Sequence, residues 1–341
     1  MARVITFGEI MLRLNPEGYY RLVQADKLDV SYTGAEANVA VALAQLGVDA
    51  AFVSTVPAHE VGQCAVNFLR RFGVDTSMVK RCGNRLGVFY VEKGASQRGS
   101  KVIYDRADSA ITKMKRGDYD WDSIFEGADW FYWTGITPAL HGELPEISED
   151  ACKAAKAHGL KIACDVNYRE KLWTTEEAGV VMEKLLPYSD LIIVNEDHAR
   201  KILGITAEGA NYGGDELLTD EQYTSIAKQV CDRYGCSSAA LTVRRSISAN
   251  DNKFAAMFYK DGKSYFSPEY RLNIVDRIGG GDAFAGGLLY GLIKGKTPQE
   301  TLNFAVAAGA LNHSIEHDFN LVSLEEIEAV AAGHGDGRVQ R

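Results

Sequence analysis

The sequence predicts an α/β fold in which helices cover both faces of a mostly parallel β-sheet. Short apolar runs alternate along the chain with longer amphipathic segments, the pattern of successive strand and helix units. Polar residues follow several of these runs directly, as at Gly8-Glu9, Asn195-Glu196 and Arg244. Because the carboxyl ends of parallel strands lie at one edge of a sheet, we expect these residues to face a common ligand site.

The individual elements follow from the hydrophobic periodicity, taken in chain order. Strands are predicted at residues 4–7, 51–55, 130–134, 161–165, 191–194 and 239–243. Helices are predicted at residues 37–45, 61–71, 150–157, 177–186, 221–233, 283–292 and 301–312.

Two extended segments interrupt this alternation, and we interpret them as a small β-sheet lid over the rim of the main sheet. Strands are predicted at 88–91 and 102–106, on either side of the polar turn 94–100. A sheet this small cannot have a core of its own, so its apolar outer face predicts a homo-oligomer joined through the lid. The predicted boundaries are 1–10, 34–86 and 108–332 for the core, 11–33 and 87–107 for the lid, and 333–341 for a flexible tail.

Composition and charge narrow the class of protein. The 341 residues carry a formal net charge of −9, which argues against nucleic acid or an anionic membrane as a partner. The sequence has neither an apolar run of about 18 residues nor a signal-like N-terminus, so we expect a cytoplasmic protein. The six cysteines form no C-x-x-C pair, and His313 and His317 do not form an H-E-x-x-H motif, because Ser314 stands at the position of its glutamate.

The segment 274–284 carries the strongest chemical signal in the sequence. Its central residues are Gly279, Gly280, Gly281 and Asp282, at the start of a predicted helix of small residues. Glycines expose backbone N–H groups, and these groups together with the helix dipole favour a bound phosphate. Asp282 then lies where a hydroxyl that attacks the phosphate can lose its proton. Taken alone, the same residues also fit an ordinary helix N-cap after a glycine turn.

Two other phosphate-binding motifs do not fit the sequence. The residues Gly295-Lys296-Thr297 follow Gly291 with one residue too few for a P-loop, and they come after a helix rather than a strand. Gly8-Glu9-Ile10, after the first strand, lacks the glycines of a dinucleotide-binding turn. A P-loop enzyme and an NAD-dependent enzyme are therefore disfavoured.

Two segments together resemble the signatures of the ribokinase-like (PfkB) carbohydrate kinases. Residues 33–40, Thr-Gly-Ala-Glu-Ala-Asn-Val-Ala, resemble the N-terminal signature and residues 275–284 resemble the C-terminal one. The resemblance spans nearly the whole chain and implies a ribokinase-like three-layer αβα core with a β-sheet lid. It also implies ATP-dependent phosphorylation of a sugar hydroxyl, with Asp282 as general base. Thr33 departs from the family pattern, in which a glycine is common at this position.

Within the family, the sequence most resembles the 2-keto-3-deoxygluconate kinases. The supporting segments are 34–41, 104–106, 165–169 with Leu172-Trp173, and 276–282. The chemistry agrees, because a keto acid needs cations for its carboxylate and arginine is a planar, bidentate donor. The predicted substrate-binding residues are Gly34, Ala35, Asn38, Tyr90, Tyr104, Arg106 and Arg169, together with Asp282.

The resemblance also implies a nucleotide site with Mg2+. Its predicted residues are Thr242, Arg244, Gly279, Gly281 and Asn312. The family often has an N-x-x-E segment that organises the metal, whereas this chain has Asn195-Glu196-Asp197-His198. Metal ordering is therefore assigned to Glu196 or Asp197, acting through water. The sequence leaves open whether Arg277 contacts phosphate or pairs with Asp276.

The sequence thus predicts in-line transfer from ATP to the terminal hydroxyl of a keto-sugar acid. Asp282 is expected to accept the proton, while Gly279, Gly280 and Gly281 present N–H groups to the transferring phosphoryl. The alternatives are a kinase of a neutral sugar such as fructose or ribose, or of 5-dehydro-2-deoxygluconate. A catalytically silent relative is disfavoured because Asp282 and its glycines are all present.

Overall fold

A mixed β-sheet forms the middle layer of the computed structural model, which describes residues 2–212 and 217–335. Within these ranges the sheet has ten strands, and its main path runs in the order β13-β12-β11-β10-β9-β8-β1-β4-β5, with β14 paired to β12. The strands are β1 Arg3–Phe7, β4 Asp49–Val56, β5 Val79–Arg81, β8 Trp130–Thr134, β9 Lys161–Asp165, β10 Leu191–Val194, β11 Ser238–Ser246, β12 Asp251–Lys260, β13 Lys263–Phe266 and β14 Tyr270–Asn273. Pairing is parallel from β5 to β11 and antiparallel at β12 to β14.

Helices cover both faces of this sheet, as the alternation of side chains along each strand requires. In β8, for example, Phe131 and Trp133 lie in one apolar core and Tyr132 lies in the other. One face is covered by α3 Trp121–Phe125, α4 Leu144–Ala157, α5 Thr175–Leu185, α6 Glu196–Leu203 and α7 Asp220–Tyr234. The other is covered by α1 Ala35–Gln45, α2 Glu60–Arg71, α8 Gly280–Ile293, α9 Pro298–Asn312 and α10 Leu324–Ala331. The three-layer αβα prediction is confirmed.

A second sheet of four strands lies over the rim, in the order β3-β2-β6-β7. Its strands are β2 Met11–Asn15, β3 Asp29–Thr33, β6 Gly87–Glu92 and β7 Lys101–Asp105. Met11, Phe89 and Val91 form a small buried cluster on the inner face. On the outer face Val30 is 56% exposed and Ile103 is 40% exposed. The second sheet therefore presents an apolar surface outward, and we call these four strands the lid.

Several elements differ from the sequence-based expectations. The antiparallel strands β12 to β14 and the helices α3, α6 and α10 were not predicted, and 22–24 in the lid segment is a short 3-10 helix rather than a strand. Helix α8 begins at Gly280, three residues earlier than expected, because its first turn includes two of the glycines. Of the predicted tail, Gly333 and His334 hydrogen-bond back to α10, and residues 336–341 lie outside the described residues.

Helix α8 packs closely on two neighbours because its residues are small. A Cβ added at Gly286 would lie 2.9 Å from the Ala42 Cβ of α1, and one at Gly287 would lie 2.9 Å from the Ala305 Cα of α9. This contact holds the start of α8 in a fixed place at the sheet edge. In the described part of the chain, no helix combines the length and the apolar character needed to cross a membrane.

Candidate active site

The glycine turn before α8 packs against Asp318 and His313 on one side, and its other side is uncovered. Gly279 is the N-cap, with a left-handed φ of 89°, and a Cβ on it would overlap the backbone carbonyl of Asp318. A Cβ on Gly280 would overlap the ring of His313, whereas one on Gly281 would meet nothing within 4 Å. The first N–H groups of a helix have no partner inside it, so those of α8 are free to bind an anion.

Asp282 lies at the third position of α8 with its carboxylate buried. The side-chain amide of Asn38, at the start of α1, donates from Nδ2 to Asp282 Oδ2 at 2.6 Å. Burial, helped by the neighbouring Asp165 and Asp318 and opposed by Asn38 and Arg169, raises the pKa of Asp282 to about 8. A carboxylate with a raised pKa is a stronger proton acceptor, which suits a general base.

One cavity lies between the lid and the start of α1, and it contains most of the predicted substrate residues. Gly34, Ala35, Asn38, Tyr104, Arg106, Arg169 and Asp282 all line it. Residues that the sequence did not single out also line it, namely Glu36, Phe89, Ile136 and Asp318, together with Glu9, which was noted only as a rim residue. We call this the sugar cavity.

Tyr90 does not lie in the sugar cavity, contrary to the sequence-based expectation. Strand side chains alternate, and it is Phe89 that points inward and stacks on Tyr104 with ring centroids 5.8 Å apart. Tyr90 therefore lies on the outer face, opposite Ile103 of β7. Phe89 occupies the place that we had assigned to Tyr90.

The two predicted carboxylate-binding arginines have different surroundings. Arg106 is buried and donates from Nε to Glu9 Oε2 at 2.9 Å, with a second bond from Nη2 to the same oxygen. Ser109 donates to the other oxygen of Glu9 at 2.5 Å. The side chain of Arg169 forms no hydrogen bond or ion pair with any residue in 2–212 or 217–335. Arg169 is therefore the available cation of the sugar cavity, and Arg106 is already neutralised.

Glu36 is a buried carboxyl that sequence reasoning missed, although it lies inside the N-terminal signature. Thr134 and Thr137 donate to its Oε1 at 2.7 and 2.8 Å. Burial raises the pKa of Glu36 to about 7, so this carboxyl is partly protonated at neutral pH. A partly protonated carboxyl can donate as well as accept, which suits contact with a polyhydroxy ligand.

A second cavity of about 570 Å³ opens on the other side of Asp282 and contains the predicted nucleotide residues Thr242, Arg244, Gly279 and Gly281. Arg244 and Arg277 both line it, and within the described residues neither forms an ion pair. Burial, with the neighbouring charge of Arg277, lowers the pKa of Arg244 to about 10. Two neighbouring arginines that are not paired with a carboxylate favour the binding of an anion between them. We call this the phosphate cavity.

His313 positions Arg244 from behind the glycine turn. Arginine can only donate, so the 2.8 Å contact from Arg244 Nη2 makes His313 Nε2 an acceptor. The proton of the imidazole is therefore on Nδ1, which donates to the carbonyl of Gly309 at 2.6 Å. Burial and the charge of Arg244 lower the pKa of His313 to about 4, so the ring stays neutral.

The structure places the predicted residue Asn312 elsewhere and distinguishes the two alternatives that the sequence left open for Arg277. Asn312 is fully buried and donates to the carbonyl of Ile278 at 3.3 Å, so it supports the glycine turn instead of lining the phosphate cavity. Asp276 pairs with Arg13 of the lid, so it is not the partner of Arg277. Arg277 instead donates to the hydroxyl of Ser246 at 3.0 Å and keeps its charge facing the cavity.

The predicted metal residue Glu196 is the first residue of α6 and faces the phosphate cavity. Burial raises its pKa. Asp197 is held by Arg200 at 2.9 Å and Lys201 at 2.7 Å, which leaves Glu196 as the freer carboxylate of the two. Within the described residues, no three His, Cys, Asp or Glu side chains converge in a way that would hold a metal ion by themselves.

A base at the start of a helix, an anion-binding glycine turn and two adjoining cavities define a phosphotransferase with a ribokinase-like fold. Residues 1–315 match the family of pfkB carbohydrate kinases. The chain therefore belongs to the PfkB family, as the sequence predicted, and it is a carbohydrate kinase.

Individual relatives are similar over the whole chain. The crystal structure of 2-dehydro-3-deoxygluconokinase from Thermotoga maritima is 48% identical, with a TM-score of 0.94, over 97% of this chain and 98% of that one. A 2-dehydro-3-deoxygalactonokinase of Haloferax volcanii is 33% identical over 100% of this chain and 99% of its own length. A 5-dehydro-2-deoxygluconokinase of Clostridium tetani is 26% identical over 90% of this chain and 86% of its own length.

Replacing the general base tests the role of Asp282. We expect Asp282→Asn to lower kcat by about 10²- to 10⁴-fold, because the amide cannot accept the proton. For the wild type, kcat/KM should rise with pH up to about 8, where the carboxyl of the free enzyme ionises.

Thermal unfolding supplies the control for this variant. Because the pKa of Asp282 is raised from 3.8 to about 8, the protein loses stability as pH rises between these two values, and the loss is complete at pH 9. The Asn variant avoids that cost, so its Tm at pH 9 should be no lower than that of the wild type. A kcat above about a tenth of the wild-type value would contradict the assignment.

The phosphate cavity makes a second prediction. Arg244→Ala should raise the KM for ATP by about 10- to 150-fold, because a charge-assisted hydrogen bond contributes about 1.5–3 kcal/mol. The neighbouring Arg245 is exposed and does not line the cavity, so Arg245→Ala serves as the matched control. Steady-state kinetics with varied ATP provide the measurement, and equal effects of the two substitutions would rule out the contact.

Proposed function

We propose that this kinase phosphorylates the terminal hydroxyl of a six-carbon keto-deoxy sugar acid, converting 2-keto-3-deoxygluconate to 2-keto-3-deoxy-6-phosphogluconate with ATP. The observation that carries this proposal is Arg169, an unpaired cation that lines both the sugar cavity and the phosphate cavity. Relatives whose names refer to keto-deoxy sugar acids support the same substrate class.

The geometry supports direct in-line transfer. Asn38 occupies Oδ2 of Asp282, which leaves Oδ1 for the terminal hydroxyl of the sugar acid. As that oxygen bonds to the γ-phosphorus and the bond to the β-phosphate oxygen breaks, the hydroxyl proton passes to Asp282. The N–H groups of the glycine turn bind the transferring phosphoryl, and Arg244 and Arg277 hold the remaining phosphate charge.

The residues present fit a magnesium ion held chiefly by the nucleotide. Mg2+ prefers oxygen ligands and keeps several waters, and Glu196 supplies a carboxylate in the phosphate cavity, where Asp165 provides a second. When bound, the ion neutralises developing charge on the phosphates. Glu196 would hold it through water.

A second substrate is favoured by a specific feature of the sugar cavity. The carboxyls of Glu9 and Glu36 there suit neutral hydroxyls, as in fructose or ribose. Similarity to 5-dehydro-2-deoxygluconokinases adds 5-dehydro-2-deoxygluconate to the alternatives, and both it and the galactonate epimer belong to the keto-acid class.

Arg169 provides the test between acid and neutral substrates. We expect Arg169→Ala to lower kcat/KM for 2-keto-3-deoxygluconate by about 10- to 150-fold, the value of one charge-assisted hydrogen bond. The analogue whose carboxylate is reduced to an alcohol should be a poor substrate of the wild type and little worse with the variant. The KM for ATP should change little.

Arg106 offers the comparison within the same cavity. Arg106→Ala leaves the carboxylate of Glu9 buried without its cation, so this variant should lose stability as well as activity. Equal losses of Arg169→Ala on the acid and on the alcohol would mean that Arg169 serves the nucleotide or the fold, and a neutral sugar would then be the better substrate class.

We also propose that two copies of the chain associate through the outer face of the lid. The supporting feature is the exposed apolar set on that face, with Val30 at 56% and Ile103 at 40% exposure. Sedimentation at micromolar concentration should show a dimer or larger species, and Val30→Asp should shift it to monomer. Val180→Asp, which changes an equally exposed valine on α5, is the control. A wild-type monomer would contradict the proposal.

A further inference from the structure

A buried chain of hydrogen bonds leads from the lid to the general base. Thr33, the last residue of β3, has its hydroxyl 2.7 Å from Asp318 Oδ2 and 2.7 Å from Asn38 Oδ1. Asn38 then donates from Nδ2 to Asp282 Oδ2 at 2.6 Å. Thr33, Asn38 and Asp318 are each no more than 3% exposed, so solvent does not interrupt the chain. Thr33 is also the position at which this sequence departs from the common glycine.

The direction of these bonds follows from counting protons. The backbone N–H of Gly34 points at Asn38 Oδ1 at 3.4 Å, which identifies that atom as the acceptor end of the amide. The single hydroxyl proton of Thr33 is then donated to Asn38. The contact with Asp318 needs a proton of its own, and the carboxyl of Asp318 has to supply it. Burial raises the pKa of Asp318, which agrees with a protonated carboxyl.

Arg13 of β2 anchors the far end of this chain. It is fully buried and forms ion pairs with Asp318 and, at 2.5 Å, with Asp276. Asp276 has a second cation, Lys93, at 3.9 Å, so Arg13 is the only cation shared with Asp318 among the described ion pairs. The lid strand β2 is thereby tied to the segment that closes the glycine turn.

We propose that Thr33 is a positioning residue whose hydroxyl orients the amide of Asn38, so that Asn38 donates to Oδ2 of Asp282 and leaves Oδ1 for the substrate hydroxyl. The inference rests on the proposed role of Asp282 as general base. Without the hydroxyl, Asn38 Oδ1 keeps only the long contact to Gly34, and the amide is free to rotate. Asp282 then loses a donor that stabilises its charged form.

The charged and titratable groups around this chain come from several elements. Those that act on Asp282 are Asp165, Arg169 and Asp318, and Tyr132 of β8 also lies close to it. Those that act on Asp318 are Arg13 and Asp276. Among these groups only Asp318 contacts the Thr33 hydroxyl, so a change in the ionisation of Asp282 in a Thr33 variant reports the loss of that hydroxyl, acting through Asn38 or through Asp318.

The experiment compares Thr33→Val with Thr33→Ser and Ser31→Ala. Valine matches the shape of threonine without the hydroxyl, and serine keeps the hydroxyl. Ser31 lies two positions earlier on the same buried face of β3, and its hydroxyl has no hydrogen-bond partner among the described residues. Its loss is therefore the matched control for removing a buried hydroxyl from this strand.

We expect Thr33→Val to move the acid limb of kcat/KM for the sugar acid upward by about 0.5–1 pH unit, which lowers kcat/KM at pH 7 by about 3- to 10-fold. Activity should recover toward the wild-type value at pH 9 to 10. Thr33→Ser and Ser31→Ala should keep the wild-type limb. Circular dichroism checks that Thr33→Val is folded. If it is not, Thr33→Ala replaces it, because alanine also lacks the hydroxyl.

Carbon-13 NMR titration of the aspartate carboxyls gives a readout that does not depend on turnover. The resonance absent from Asp282→Asn identifies Asp282, and its pKa should rise in Thr33→Val by the same amount as the acid limb. An unshifted pKa and limb in Thr33→Val, or an equal shift in Ser31→Ala, would overturn the inference. Full activity of Asp282→Asn would instead refute the general base, so the two failures are distinguishable.

Discussion

The close contact behind the glycine turn is the constraint on which the rest of the site depends. Gly279 lies against the Asp318 carbonyl and Gly280 against the His313 ring, with no room for a Cβ at either position. The turn can therefore present its N–H groups in only one direction, toward the cavities. The two residues that pack against the turn make further hydrogen bonds: His313 with Arg244, and Asp318 with Thr33. Phosphate binding and base positioning thus share one support.

The negative charge of several carboxyl groups in the sugar cavity is reduced, each by a different cause, so the cavity can bind an anion. Glu9 is neutralised by Arg106, and Glu36 is partly protonated because burial raises its pKa against the opposing hydrogen bonds of two threonines. Asp282 holds its proton up to about pH 8 in the free enzyme. Each carboxyl therefore contributes less negative charge than its formal value, and Arg169 is left to attract the substrate carboxylate.

The fold and the catalytic turn could be predicted from the sequence because their signals are local. Buried parallel strands such as β8, β9 and β10 appear as short apolar runs, and they were predicted with their observed bounds. The antiparallel strand β12 was missed, although its residues 254–259 form a continuous apolar run of the kind that predicts a strand. The face of the lid on which Tyr90 lies depends on the register between β6 and β7. Arg106 is paired with Glu9, a residue 97 positions away in the sequence. Such non-local partners leave no local pattern.

The connection between the lid and the core has a consequence for the order of folding. The lid strands β2 and β6 pair in parallel, with Met11 opposite Gly87, and the chain between them forms α1, β4, α2 and β5 of the core. The central pairing of the lid therefore closes a long loop. The entropic cost of closing this loop is offset only when that part of the core has already formed. Because Met11, Phe89 and Val91 are its one buried apolar cluster among the described residues, we expect the lid to form later than the central sheet and to have a lower local stability. Its amides should exchange with solvent faster than those of the central sheet, except around Arg13 and Thr33, whose buried bonds to Asp318 tie the lid to the support of Asp282.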